Sequence, residues 1–340
     1  MSTQPPSPVR APAVLVIGEC LVDLAPTASA SALPAGQHGR GYVALPGGGP
    51  ANIAVGLARL GARSSFGGRF SQTGFGPWLR ENLSSNGVDL STSVTAAEPA
   101  TLAVVTLDDE GKASYAFYGP ETADWHWQLE ELPAPGLVTS DEVGYDAVQV
   151  GSLATAFEPG AGVIATWLDQ LRATGRVVVS FDPNVRAGLV ADLDGYRSKV
   201  EAFVRRSHLV KASEDDFDVL YPGEALSDVA ARWLGEGVSV VVVTRGADGA
   251  VAYLPDGRST GAAPPRVEVV DTIGAGDTFS AAFLDFLGRR GRLAPAALAT
   301  VDLDLLREAL HVAVTAAAIT CTRAGANPPT ATELAAFDAS

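Results

Sequence analysis

Short, near-continuous valine-rich runs, each set between segments of helical spacing, constrain this chain more than any other feature. The runs are AVLVIGECLVDLAP (13–26), AVQVGSL (147–153), VVVSFDP (177–183) and VSVVVVTRG (238–246). The first is broken at Gly18 into a buried strand and a shorter extended piece. Apolar residues recur with helical spacing over 50–61, 74–86, 160–174, 196–206, 227–236, 277–290 and 304–320. A strand without polar alternation is buried on both faces, so the pattern predicts an α/β fold, a parallel sheet with helices on both faces. Two stretches, 38–46 and 100–118, instead alternate apolar with polar, the second around a DDEGK turn. They predict antiparallel strands with one wet face, gathered into a small sheet that serves as a lid over the crevice at the carboxyl ends of the parallel strands. The first twelve residues hold four prolines and predict a disordered tail, 1–12. Residues 258–267 read as a surface connection.

Charge and cysteine content narrow the function. The 340 residues carry 39 Asp plus Glu against 24 Lys plus Arg, a net charge of −15. That balance argues against nucleic acid or an anionic membrane as partner, and any phosphate site must use local backbone N–H groups and a metal ion. With only Cys20 and Cys321, a disulfide framework is excluded and a reducing cytoplasm is the expected compartment. The four histidines show no HExxH spacing and there is no CxxC, so no structural zinc is expected. No apolar run reaches the roughly 18 residues of a membrane helix, and the start lacks a signal-peptide core.

Chemistry concentrates in two glycine-rich stretches. In DTIGAGDTFSAAFLDFL (271–287), Gly274, Ala275 and Gly276 lead into an apolar helix beginning near Asp277. Small residues there turn backbone N–H groups toward an anion, helped by the helix N-terminus. Asp277 reads either as an ordinary helix N-cap or first-turn Asp, or as a carboxylate base beside an oxyanion cradle, the pair that phosphoryl transfer to an alcohol needs. In PGGGPANIAVGLARLG (46–61), three glycines precede a helix carrying Asn52 one turn in, where its amide can both donate to and accept from a polyol. The glycines alone also fit a plain tight turn.

Together, GGGPANIAVGLARLG and DTIGAGD resemble the paired signatures of the ribokinase-like (PfkB-type) carbohydrate kinases. The intervening GECLVD, GSL, FDPNVR, LVKASEDDF, TRGADG and CTRAGANPP extend the resemblance over a single kinase domain, 13–335. It implies a Rossmann-like parallel sheet and a β-sheet lid over the sugar, formed by about 21–46 and 98–120. It implies that Asp23, Gly48, Gly49 and Asn52 contact sugar hydroxyls, with Gly151 and Arg186 also in the substrate site. Asp277 would be the base, with the N–H groups of Ala275, Gly276 and Asp277, following Gly274, as anion hole. Asn184, Ser213, Thr244, Gly246 and Gly249 would face ATP, Asp216 would support Mg²⁺ indirectly, and Asp271, Ile273, Thr320, Arg323 and Gly325 would hold a monovalent cation such as K⁺.

Other residues keep two readings. Asp23 is a strand-end turn residue or a bidentate partner of a diol; Arg186 is a surface ion pair or a cation at the phosphate crevice; Phe117 and Tyr118 cover the sugar or pack the sheet. Three departures from the family stand out: Ser213…Asp216 where relatives carry NxxE, Ser71-Gln72-Thr73-Gly74 where many carry GxDxxG, and Gly151 where ribokinases carry Glu. The last predicts a roomier pocket that favours a hexose. The resemblance therefore implies an ATP-dependent sugar kinase acting on fructose, with 2-keto-3-deoxygluconate or ribose as alternatives and a sugar-binding regulator as the reading from another class. An open-edged lid sheet allows a homodimer.

Overall fold

The computed structural model describes residues 10–27, 41–107, 113–140, 142, 144–189 and 192–338. The expected tail through residue 9 and the DDEGK turn (108–112) lie outside the described residues. An eight-stranded sheet runs in the order Ser259–Ala262, Ala250–Tyr253, Val240–Thr244, Leu209–Ser213, Val178–Asp182, Ala147–Gly151, Ala13–Ile17, Arg63–Gly67. The last six strands pair in parallel and the first two add antiparallel at one edge. Alternation sorts the core. Val14 and Val16 face the helices Gly49–Arg59, Ala275–Arg289 and Leu303–Cys321, whereas Leu15 and Ile17 face Gly160–Thr174, Leu193–Val204 and Leu226–Gly235.

Two features correct the sequence expectation. Residues 258–267 are not merely a connection, because Ser259–Ala262 pairs with Ala250–Tyr253 as the edge strand. Its sequence STGA gives no apolar signal because only Thr260 is buried. The strand Arg63–Gly67 was likewise hidden: its serines look polar, but Ser64 and Ser65 are buried and satisfied by the Ala54 carbonyl and the Asp89 carboxylate.

A separate four-stranded sheet has the order Gly41–Gly47, Leu21–Thr27, Leu102–Leu107, Ala113–Tyr118. Its central pairing is parallel and the outer two are antiparallel. The sheet grows directly from the core, since only Gly18–Cys20 separate the strand Ala13–Ile17 from Leu21–Thr27. Within it, Asp23 stands opposite Leu45 and Leu21 opposite Gly47. The chain therefore passes from the small sheet straight into the glycine turn that starts the helix Gly49–Arg59.

Candidate active site

The carboxyl ends of the central strands and the N-termini of two helices meet in one cleft. It is lined by Gly49, Pro50, Ile53, Gln149, Gly151, Ser152, Asp182, Asn184 and Asp277. The helix Ala275–Arg289 is capped by Gly274 in a left-handed conformation (φ 76°), with no side-chain cap. Asp277 is therefore not the cap but a first-turn residue of this helix. Its carboxylate accepts a hydrogen bond from Asn52 Nδ2 at 2.9 Å, across 225 residues of sequence. Burial pushes its carboxyl up to about 6; Asp182 adds to the rise, while the Asn52 hydrogen bond, Lys211 and Arg186 oppose it. The Ala275 N–H already donates to the Thr272 carbonyl at 3.2 Å. Among the described residues, the N–H groups of Gly276 and Asp277 meet no backbone acceptor, which leaves two of the three expected donors open at the helix end.

Glycine is dictated by geometry at the other helix. Gly48 has φ 103°, and a Cβ there would lie 2.5 Å from the Glu19 carbonyl oxygen. A Cβ on Gly49 would lie 2.8 Å from Asn184 Nδ2 and 3.2 Å from Asp277 Oδ1. Opposite, Ser152 (φ 56°) and Asn184 (φ 41°) are both held in the left-handed region that non-glycine residues avoid. Their side chains are 3.5 Å apart, Asn184 Nδ2 to Ser152 Oγ.

Gly151 corrects an expectation. It lines the cleft, but a Cβ on it would fall 2.0 Å from the Asp182 carbonyl oxygen. The missing side chain is replaced by the neighbouring strand's backbone and adds no room for a larger sugar.

The remaining predicted residues separate into groups. Asp23 lies in the small sheet; burial raises its carboxyl and the Arg186 charge lowers it, which puts the two within electrostatic reach. Arg186 is exposed and, among the described residues, has no carboxylate within ion-pair distance. Ser213 and Asp216 form a capping box at the start of the helix Glu214–Leu220. Both Asp216 oxygens take backbone N–H groups at 2.7 Å, from Val185 and Ser213. Thr244 is the register partner of Ser213, and Gly246 (φ 50°) and Gly249 (φ 86°) shape the turn that follows. Asp271 joins the two expected cation loops, accepting the N–H of Ile273 at 3.0 Å and of Gly325 at 2.8 Å. Thr320 is fully buried and bonds Thr278, while Arg323 turns away to Glu333. Phe117 stacks on Phe157 with ring centroids 5.7 Å apart, as packing, and Tyr118 is exposed.

Sequence reading missed Glu19, Ser152, Asp182 and Lys211. Lys211 Nζ lies 3.0 Å from Asp182 Oδ2. Burial works against its charge, but Asp182 and Asp216 more than offset this and raise its pKa. The available signal was a lysine inside an apolar strand, LVKAS, where a charge is costly without a purpose.

Comparison with known proteins followed the same outline. The family profile described as "pfkB family carbohydrate kinase" matches residues 11–333. A fructokinase of Rhizobium leguminosarum bv. trifolii is 33% identical over 294 residues, covering 86% of this chain and 85% of that protein. The crystal structure of a Xylella fastidiosa fructokinase with bound ATP is similar at TM-score 0.84 and 25% identity, covering 96% of this chain and 97% of that one. A double-mutant fructokinase of Vibrio cholerae O395, with fructose, ADP and potassium ion bound, is similar at TM-score 0.78 and 28% identity, covering 96% and 99%.

Proposed function

The chain belongs to the pfkB family of carbohydrate kinases and is a sugar phosphotransferase, and from that premise we propose that fructose is its acceptor and Asp277 its general base. The observation that carries the proposal is the Asp277 carboxylate, bonded to Asn52 and set beside open N–H groups at a helix end. Asn52 and Asp23 orient the sugar hydroxyls. The reacting hydroxyl oxygen forms a bond to the γ-phosphorus as the bond from that phosphorus to the β,γ-bridging oxygen breaks. The hydroxyl proton passes to Asp277, and ADP leaves with the electron pair. The N–H groups of Gly276 and Asp277 meet the charge on the phosphoryl group in flight. Asn184 and the turn through Thr244, Gly246 and Gly249 hold the nucleotide. Closure of the small sheet over Asp23 excludes water and so limits hydrolysis of ATP.

Magnesium enters with the nucleotide, as MgATP. Both Asp216 oxygens are occupied by backbone N–H groups, so its support to magnesium is indirect, through water and through the loop it fixes at Val185. The carbonyls of the 320–325 loop suit a monovalent cation, with Asp271, whose two oxygens each already take a backbone N–H, supplying nearby negative charge; such a cation would supply positive charge beside the anion hole. The fructokinase relatives, with GSL and FDPNVR, support fructose; the Gly151 geometry does not contribute. Exposed Val43 and Leu45, which share one face of the small sheet, support a homodimer through that face, and the two free thiols support a reducing, cytoplasmic setting.

A coupled ADP-release assay over fructose, ribose and 2-keto-3-deoxygluconate tests the assignment. The expected kcat/KM for fructose exceeds that for ribose by at least about tenfold, roughly 1.4 kcal/mol of transition-state binding. A preference for the keto acid would assign Arg186 to its carboxylate instead. Sugar binding without ADP release would overturn the mechanism.

A further inference from the structure

The strand Leu209–Ser213 carries a lysine where the fold asks for an aliphatic residue. Leu209, Val210, Ala212 and the register partner Val242 are all buried and apolar, and Lys211 itself is only 8% exposed. The Asp182 partner does not by itself justify the pair, because well-packed apolar side chains would fill the same space at no desolvation cost. Alternation sends Lys211 to the face of Leu209, which packs with the helix Ala275–Arg289. There a Cβ on Gly276 would stand 3.2 Å from Lys211 Nζ. Gly276 is also one of the residues whose N–H is open at the helix end.

Donor counting points the same way. An ammonium has three N–H donors, and the contacts among the described residues use one, on Asp182 Oδ2. Asp182 is itself held in place: its Oδ1 accepts the Asn184 N–H at 3.2 Å, and its Oδ2 also faces Ser280 Oγ at 3.4 Å. A fixed, desolvated cation beside an anion cradle is worth far more than one in water. In a chain of net charge −15, that local cation adds to the positive field of the helix end that a phosphoryl group would meet.

We propose that Lys211 is a catalytic residue of the phosphoryl transfer: its ammonium, anchored by Asp182, completes the anion hole by donating to the transferring phosphoryl group through the gap left by the absent side chain of Gly276. The proposal rests on the kinase reading with Asp277 as base. Two variants test it, Lys211→Met and the double variant Lys211→Met/Asp182→Asn. The double variant removes both members of the Asp182–Lys211 ion pair and decides the matter if the single one does not fold. Single-turnover transfer from MgATP to the best acceptor of the panel is measured by rapid quench, and sugar affinity by calorimetry. The expected result is a transfer rate at least about 100-fold below wild type in both, with sugar affinity within about threefold. A double variant transferring within about fivefold of wild type would make Lys211 only a structural partner of Asp182 and overturn the proposal. Weakened sugar affinity in step with the rate would also overturn it, since a loosened site and not a lost donor would then explain the defect. Asp277→Asn is run in parallel. Wild type without turnover on any sugar takes down the kinase mechanism and this proposal together, whereas slow Asp277→Asn beside a fast double variant removes Lys211 alone.

Discussion

At Asp277 two demands meet: the carboxylate must be ionised to take a proton, yet it sits where burial favours the neutral acid. With its pKa at about 6, well above the usual carboxylate range, the proposed base is protonated below that pH. The acid limb of kcat/KM is therefore expected near pH 6, falling about tenfold per unit below it. Asp277→Asn is expected to lower kcat by about 10²–10⁴ with little change in sugar KM, and to erase that limb. A limb near pH 4, or one that survives the substitution, would assign the titration elsewhere. Gly151 carries the opposite lesson. A Cβ there would meet the Asp182 carbonyl oxygen at 2.0 Å, so Gly151→Ala is expected to push two central strands apart. A loss of about 1–3 kcal/mol and a lower Tm follow, with no selective gain for ribose. Asp277, Asn52 and the glycines were legible because tight turns and cradles demand particular residue types. Lys211, Asp182 and Ser152 were not, because their roles come from strand register and a crossing of chains far apart in sequence.

Among the elements, the strands Ala13–Ile17, Ala147–Gly151, Val178–Asp182 and Val240–Thr244 and the long helices were readable from apolar runs and 3.6-residue spacing, and their observed ends lie close to the expected ones, whereas Leu209–Ser213, with its lysine, was not. What escaped were elements whose polar residues are satisfied by tertiary contacts, such as Arg63–Gly67, and the helix Glu214–Leu220, whose start is the Ser213–Asp216 capping box. The link Gly18–Cys20 between the core strand and the small sheet holds another such case. Glu19 is 1% exposed, accepts the Ala154 N–H at 3.1 Å, and is pushed by burial up to about 7. Asp124, raised to about 6, takes the Cys20 N–H from the other side at 2.9 Å. Between about pH 4.5 and 7 the unfolded chain has already released the Glu19 proton that the folded chain keeps. Stability therefore falls as pH rises through that window, by on the order of 3 kcal/mol once it is crossed. Glu19→Gln keeps the acceptor and removes the charge. Thermal melts should show it more stable than wild type at pH 8, with the gap closing at pH 4.5. An equal gap at both values would mean that packing, not ionisation, sets the effect.

For the molecule as a whole, a net charge of −15 must admit a nucleotide that is itself negative. The whole-protein field repels MgATP, and under the proposed mechanism attraction begins at short range, at the helix end of Gly276 and Asp277 with Lys211 behind it. Salt screens the first effect far more than the second: the Debye length falls from roughly 30 Å at 0.01 M to roughly 10 Å at 0.1 M. Raising tetramethylammonium chloride across that range is therefore expected to lower KM for MgATP by about two- to threefold while leaving kcat unchanged. Potassium chloride should do the same and something more. The loops joined by the Asp271 to Gly325 hydrogen bond lead directly into Gly274, where a Cβ would touch Ala326 at 2.6 Å, so a cation held between them would bear on the start of the anion-hole helix. At matched ionic strength, kcat in potassium is expected to exceed kcat in tetramethylammonium by about threefold or more, roughly 0.7 kcal/mol of transition-state stabilisation. The two salts separate the two scales. A shared fall in KM reports the field of the whole chain, a potassium-only rise in kcat reports the loop site, and equal kcat values in both would remove the cation site while leaving the screening argument intact.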